Sequence, residues 1–309
     1  MTSASPDSEV FVVGVVDHAV VAARVAAAKA RVLARVPAAR VEHVGSTALR
    51  GMLTKGDIDL QVVVDAADFA AADAALGEEF LRKSDAYLSP TGQSFDDVSG
   101  EGGGPLSIHL TVKGSDSDEQ WVIRELLAAD AGLRARYDAI KARHNGGPME
   151  RYRAEKSAFF STLKAEPRFR ATRALHGHVL PVPLTVQWGE MDAYEHVNNI
   201  VYFRWFESAR MALFHHIDFY SNRGVGPILH TTSCRYKAPV TFPDVVFAAS
   251  RVDRVDDDRF LLTHSLYSDA MGRVAATGEA LVVAYDHGAK KKAALPPLVR
   301  ERLLALMAP

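Results

Sequence analysis

Residues 166–183, EPRFRATRALHGHVLPVP, divide the chain into two stretches with different residue grammar. The segment is basic through Arg168, Arg170 and Arg173 and is bounded by Pro167, Pro181 and Pro183, as expected where one domain gives way to another. At 309 residues the chain is long for one core and comfortable for two. An N-terminal domain is expected over 1–167, a linker over 168–178 and a C-terminal domain over 179–309.

Before the boundary, helical and strand patterns alternate. The spacing of apolar residues predicts helices over Ala19–Val36 and Ala66–Leu76 and apolar strands over Ile58–Val64 and Leu106–Val112. Gln120–Lys164 reads as helical throughout, interrupted at Asn145-Gly146-Gly147-Pro148. After the boundary comes one helix, about Asn198–His216, then strands near Ile228–Tyr236, Val245–Val255, Phe260–Ser268 and Val274–Asp286. A last short helix follows Pro296-Pro297. The order strand, helix, four strands implies an antiparallel sheet with one helix against it, and an α+β chain as a whole.

Composition narrows the class. A hydrophobic content of 48% with 24% charged residues is that of a soluble globular protein. The net charge of −2 gives no electrostatic case for nucleic acid or an anionic membrane as partner. Ala19–Val36 carries Arg24, Lys29, Arg31 and Arg35, so it reads as a surface helix and not a membrane span. The polar start MTSASPDSEV lacks the pattern of a signal peptide, and a cytoplasmic location is expected. The single cysteine, Cys234, excludes an intrachain disulfide and reads as a small buried strand residue.

The stretch 186–210, VQWGEMDAYEHVNNIVYFRWFESAR, carries the most chemistry. A strand-like run ends in a polar turn with Glu190 and Asp192, and His196, Asn198 and Asn199 stand at the mouth of the helix. A thioester carbonyl is attacked by a carboxylate or by water that a carboxylate deprotonates. Either route needs N–H groups aimed at the developing oxyanion, which the first turn of a helix leaves unpaired. Asn198 or Asn199 would cap the helix and leave the N–H of Asn199 or its neighbour for substrate. From these residues alone, a turn aspartate beside an N-cap, with no chemistry, is the favoured description. Tyr202, Phe203, Trp205 and Phe206 would pack the helix on the sheet, and Glu207 and Arg210 would form an i,i+3 pair.

The run WGEMDAYEHVNNIVYFRWFESAR, with SCRYKAPVTFPDVV and ATGEALVVAYD after it, resembles the hot-dog acyl-CoA thioesterases of the 4-hydroxybenzoyl-CoA thioesterase type over about Val179–Asp286. The resemblance implies acyl-CoA thioester hydrolysis without a required cofactor. It puts Asp192 as nucleophile or general base and the backbone N–H near Asn199 as oxyanion donor. His196, Asn198 and Tyr202 would shape the substrate pocket, Arg235 and Lys237 would meet the CoA phosphates, and Glu190 would hold the turn. It also implies a homodimer or higher homo-oligomer. Two departures stand out: Glu195 where many members have glycine, and Pro243-Asp244 where Gly-Asp is frequent.

In the first half, Gly45-Ser46 is followed by Asp57-Ile58-Asp59. On a strand, residues two apart share a face, so Asp57 and Asp59 could hold a divalent metal while Gly-Ser receives a phosphate. A capped turn with two edge aspartates fits the same letters. The longer match EHVGSTALRGMLTKGDIDLQV, IHLTV and RYDAIKARH…ERYRAEKSAFFSTL resembles the GrpB-like family over about 10–165. That resemblance implies a nucleotidyltransferase fold, with Gly45, Ser46 and Lys55 toward a nucleotide and Asp57 and Asp59 toward Mg²⁺. His109 stands where a third carboxylate would complete a two-metal site. The leading expectation is a thioesterase with a GrpB-like partner domain. Its alternative is a metal-dependent nucleotidyltransferase or nucleotide-binding protein whose hot-dog half binds acyl thioesters without cleaving them.

Overall fold

The computed structural model describes residues 10–84, 89–99, 104–220 and 224–307. They fall into two compact units, Met1–Lys164 and Ala165–Pro309. Among the described residues no helix is long and apolar enough to cross a membrane.

In the first unit, helix α1 (His18–Arg35) starts at Asp17, whose carboxylate accepts the Ala19 N–H at 2.8 Å. Capping of this kind satisfies a donor that the first turn leaves orphaned. Val21, Val25, Ala28 and Val32 recur every three or four residues and bury one face of the helix. That face packs on a sheet of β1 (Arg40–Val44), β2 (Ile58–Val64), β3 (Leu81–Arg82), β4 (Gly92–Asp97) and β5 (Leu106–Val112). The strand order is β1-β2-β5-β4-β3, with β2 and β5 parallel and the other pairs antiparallel. Parallel neighbours need a crossover, and the chain between them includes α2 (Phe69–Gly77). Strands β2 and β5 coincide with the expected Ile58–Val64 and Leu106–Val112, because their near-continuous apolar runs suit a sheet covered on both faces.

The stretch expected to be helical from Gln120 is three helices: α3 (Gln120–Ala129), α4 (Ala131–His144) and α5 (Met149–Ala165). The extra break falls at Asp130, which ends one helix and caps the next by accepting the Leu133 N–H at 2.9 Å. Lys141 is 1% exposed and donates to the Leu53 carbonyl and to Asp138, whose carboxylate also accepts the Leu53 N–H. The chain just beyond the Gly-Ser turn is thereby tied to α4.

The second unit begins earlier than expected. In place of a linker over 168–178, α6 (Pro167–Ala174) occupies most of these residues. Its Ala171, with Leu175 just after it, packs on Phe247, Ala249 and Tyr267. Proline at the first helical position removes no needed donor, so Pro167 starts this helix instead of marking a break. The arginines that suggest a linker lie on its outer side or at its ends; Arg170 pairs with Asp269 at 2.9 Å.

An antiparallel sheet follows, formed by β6 (Val179–Thr185), β7 (Val225–Thr232), β8 (Arg235–Tyr236), β9 (Val245–Val255), β10 (Arg259–Ser268), β11 (Arg273–Asp286) and β12 (Lys291–Lys292). Its path is β12-β11-β10-β9-β6, and β7 and β8 both pair with β11. The strand expected over Ile228–Tyr236 is thus two pieces, with half-buried Cys234 between them and outside either ladder. Helix α7 (Asn199–His216) lies against this sheet and α8 (Pro297–Leu306) closes the unit. Val201, Tyr202, Trp205, Phe206 and Ala209 pack on Val246, Ala248, Leu266 and Ala276. Burying each large side chain here contributes roughly 1.5–3 kcal/mol. The expected Glu207–Arg210 pair is not made: Arg210 is 6% exposed, Glu207 stays on the outer face, and no salt bridge joins them among the described residues. Burial of the arginine draws it into the core and away from its neighbour's carboxylate.

At the middle of the helix, Phe206 stacks on His264 with centroids 5.1 Å apart. His264 pairs with Gly278 across β10 and β11 and is fully buried, its Nδ1 bonded to Ser250 Oγ at 2.9 Å. Burial, then the charges of Arg210 and His178, holds its pKa down to about 3. The unfolded imidazole titrates near 6.5, so below that pH the unfolded chain binds a proton that the folded chain refuses. Stability from this group is complete above pH 6.5 and is lost as pH falls toward 3, at up to ~1.4 kcal/mol per pH unit. Ring ¹⁵N shifts should report a neutral His264 at pH 5; a protonated ring there would contradict the packing.

Candidate functional site

The link between β6 and α7 carries the candidate site residues of the second unit. It contains a short 3₁₀ turn, Trp188–Glu190, closed by Glu190 accepting the Gln187 N–H at 2.9 Å. The other Glu190 oxygen meets Arg204 on α7 at 2.5 Å, and the Glu190 carbonyl accepts the Asn198 N–H at 2.8 Å. Glu190 therefore locks the loop to the helix, as expected for a residue that holds the turn.

Beyond it, Met191 and Val197 form an antiparallel bridge, and the chain between them doubles back on itself. The Asp192 N–H donates to the His196 carbonyl at 2.9 Å, while Asp192 Oδ1 accepts the Tyr194 N–H at 2.9 Å. One carboxylate oxygen is thus used to shape the turn. The Val197 N–H donates to the Val240 carbonyl at 2.8 Å, pinning the turn to the segment before β9. Asp244, which follows the departure at Pro243, is buried and accepts from Ser268 Oγ and the Ala270 N–H, so it anchors the β10–β11 turn.

Glu195 sits in this turn at φ 62°, the left-handed region. Glycine reaches that region without penalty, whereas other residues pay roughly 1–2 kcal/mol. A glycine preference before the histidine therefore has a backbone cause. Glu195→Gly is expected to stabilise the unit by up to ~1 kcal/mol, the strain relief less the entropy of an added glycine. Thermal unfolding measures it, and a fall in Tm would count against this account.

Asn198 caps α7, its Oδ1 accepting the Ile200 N–H at 3.1 Å. The first turn closes with Val201 N–H to the Asn198 carbonyl at 3.0 Å. Among the described residues no acceptor faces the N–H of Asn199. The Asn199 carbonyl in turn accepts from the Tyr236 hydroxyl at 3.2 Å. Burial, then Cys234 and Tyr202 beside it, pushes the Tyr236 pKa up to about 12, so its proton stays in place as a donor. Tyr202 Oη accepts the Val240 N–H at 3.2 Å and its ring meets that of Tyr236 edge-on.

These elements border an open cavity of about 450 Å³ lined by Asp192, His196, Asn199, Tyr202, Tyr236 and Lys237, with Val197, Ala238 and Pro239 completing the wall. Five residues singled out from sequence thus meet around one space: Asp192, His196, Asn199, Tyr202 and Lys237. Asn198, expected in the pocket, is instead spent on capping, and Arg235 is not among the lining residues. Sequence reasoning missed Tyr236, although it lies between the two basic residues that draw attention.

In the first unit, Gly45 has φ 75° and precedes the 3₁₀ turn Ser46–Ala48. A Cβ at Gly45 would lie 2.5 Å from Asp59 Oδ2, so only glycine lets the backbone come this close to that carboxylate. Thr47 Oγ1 donates to the Asp57 carbonyl at 3.0 Å and lies 3.0 Å from His43 Nε2. The two aspartates expected to hold a metal each have a protein partner. Asp57 lies one residue before the β2 ladder, after Gly56 at φ 91°, and forms an ion pair with Lys55. Asp59 Oδ1 lies 3.2 Å from His109 Nε2, whose Nδ1 is 3.0 Å from Ser94 Oγ. Among the described residues no three His, Cys, Asp or Glu side chains are grouped to hold a metal ion.

Comparison with known proteins matches both units. Residues 186–303 match the thioesterase-like superfamily, and residues 13–166 match the GrpB protein family. The UPF0157 protein VC_A0354 of Vibrio cholerae is 30% identical over 133 residues, which are 43% of this chain and 69% of that protein. A thioesterase from Thermus thermophilus, solved with coenzyme A and Zn, is 27% identical, covering 44% of this chain and 100% of that one, with a TM-score of 0.39. A thioesterase superfamily protein from Jannaschia sp. CCS1 is 21% identical, covering 45% of this chain and 90% of that one, with a TM-score of 0.42. The chain belongs to the GrpB family through its first unit and joins to it a hot-dog domain of the thioesterase-like superfamily.

Proposed function

We propose that the second unit hydrolyses acyl-CoA thioesters at the cavity around Asp192. The observation that carries this reading is the meeting of a carboxylate with an unpaired helix N–H in one space: Asp192 and Asn199 both line the cavity. Two routes use the same groups. As general base, Asp192 takes a proton from water, and the hydroxide adds to the thioester carbon. As nucleophile, a carboxylate oxygen adds directly, and water later cleaves the resulting anhydride. In both, the carbonyl oxygen gains charge against the Asn199 N–H, supported by the positive end of α7. The C–S bond then breaks, and the CoA thiolate leaves and takes up a proton.

Other lining residues have positioning roles. Tyr236 holds the Asn199 carbonyl, which fixes the orientation of the peptide units at the helix start. Tyr202 and Val197 supply apolar surface for the acyl group, and Lys237 supplies a cation for the CoA phosphates. The test is thiol release from a panel of aromatic and aliphatic acyl-CoA substrates with the full chain. A kcat/KM of about 10⁴ M⁻¹s⁻¹ or more on at least one is expected of an enzyme. Tight binding across the panel without thiol release would instead make the unit an acyl-thioester binding module.

A further inference from the structure

Between helix α7 and the sheet, the apolar core of the second unit is interrupted by a polar layer. One apolar cluster takes Phe206 and Ala209 from the helix, with Ala248, Leu266 and Ala276 from β9, β10 and β11. The other takes Leu213 and Phe214, with Val252, Leu262 and Ala280 from the same three strands. The residues that fall between the two clusters on each element are Arg210, Ser250, His264 and Gly278. Strand register sets three of them side by side, since His264 is paired with Ser250 on one flank and with Gly278 on the other. Arg210 follows Phe206 by four residues, so it lies on the same helix face, one turn beyond the ring that stacks on His264.

This layer has donors without acceptors. Among the described residues the Ser250 hydroxyl has one partner, His264 Nδ1 at 2.9 Å. A fully buried hydroxyl gives its proton to the one acceptor it has, so Nδ1 is the lone-pair nitrogen and the neutral ring carries its proton on Nε2. That Nε2 is itself buried and has no hydrogen-bond partner. Arg210 is 6% exposed and makes no hydrogen bond or ion pair among the described residues. Burial lowers its pKa, yet a guanidinium keeps its charge throughout the range in which proteins stay folded.

A buried charge without a counter-charge is strongly unfavourable. The carboxylates of the surrounding elements do not supply one. Glu207 stays on the outer face of α7, and Asp253 on β9 is taken by Arg251 and Thr263. His178 Nε2 is also buried without a partner, but its Nδ1 faces the His176 carbonyl at 3.4 Å. The His178 Nε2 therefore presents a lone pair and stands outside the donor set.

We propose that a small monovalent anion, a halide or a carboxylate, binds in this layer between α7 and β10, held by the Arg210 guanidinium and the His264 Nε2–H. An anion is an acceptor only, which is what both groups lack, and its charge offsets that of the guanidinium. A water molecule would satisfy the Nε2–H and leave the charge uncompensated. The proposal does not rest on the thioesterase reading, since neither Arg210 nor His264 lines the cavity around Asp192.

The test is hydrogen exchange of the full chain at about 10 mM and about 500 mM sodium chloride, with sodium formate and sodium gluconate at matched concentration. A bound anion stabilises the folded state in proportion to its occupancy, so protection in α7 and β10 should rise about tenfold or more. The chloride and formate arms distinguish a halide from a carboxylate as occupant, and gluconate, too bulky for a buried layer, reports the general effect of salt. Arg210→Met should fold, because an apolar side chain in place of a buried charge is often neutral or stabilising, and should respond alike to all three salts. Arg210→Lys keeps a cation and should retain the response within about threefold. Crystals of the parent soaked in sodium bromide should show an anomalous peak beside Arg210 and His264. The proposal is overturned if the parent responds alike to all three salts, if Arg210→Met responds as the parent does, or if bromide leaves that position empty.

Discussion

Asp192→Asn is expected to lower kcat for acyl-CoA hydrolysis by a factor of about 10²–10⁴, the range contributed by a positioned acid or base. A carboxylate that acts as nucleophile would put the loss at the upper end or beyond, since the amide cannot form the anhydride. The fold should be unaffected. Asp192 Oδ1 serves the turn by accepting the Tyr194 N–H, and an asparagine carbonyl oxygen can do the same. Because the change removes chemistry and leaves the cavity wall in place, KM should shift little while kcat and kcat/KM fall together. Steady-state kinetics on the best acyl-CoA substrate, with circular dichroism as a folding control, decides the matter. A kcat within about threefold of the parent would remove Asp192 from the mechanism.

Gly278→Ala should have the largest effect on stability. Gly278 lies on β11 opposite His264, and a Cβ there would overlap the Ser233 carbonyl oxygen and approach Phe206 Cε2 to 2.7 Å. The first obstacle is backbone, which cannot rotate away as a side-chain tip can. The second is the ring by which α7 rests on the sheet. Overpacking of this kind costs up to about 3 kcal/mol, and a main-chain oxygen in the way places this site at the upper end. Hydrogen exchange resolves the effect by segment: protection in α7 and β11 should drop, while that of the β2–β5 pair in the other unit stays near its parent value. Unchanged exchange in α7 would show that the sheet accommodates the methyl group and that glycine is not needed for the helix to seat.

The same residues show what a sequence can reveal and where it fails. Helix α7 is legible to within a residue, because its cap, its apolar face and its length are all local features. Strands β9, β10 and β11 are legible for the same reason, as alternating or apolar runs between aspartate-rich turns. Strand β4, GQSFDD, is not, since it has few strand-favouring residues and forms because β5 offers it a ladder. The break at Asp130 escapes notice because an aspartate between two apolar helical runs looks like a solvated position until both helices are docked.

The candidate site divides along the same line. Sequence by itself determined which side chains are candidates for the chemistry: a carboxylate at 192, a helix start at 199 and a basic residue at 237. Those are properties of residue type and short spacing. Only the tertiary structure decided that they share one cavity, because closure depends on Val197 bonding to Val240, more than forty residues on, and on Tyr236 reaching back to Asn199. In the GrpB unit it decided which partner each carboxylate meets: Asp57 pairs with Lys55, and Asp59 lies against His109 from another strand. Spacing along a strand fixes which face a side chain takes only where the ladder extends; the partner it meets comes from elsewhere in the fold.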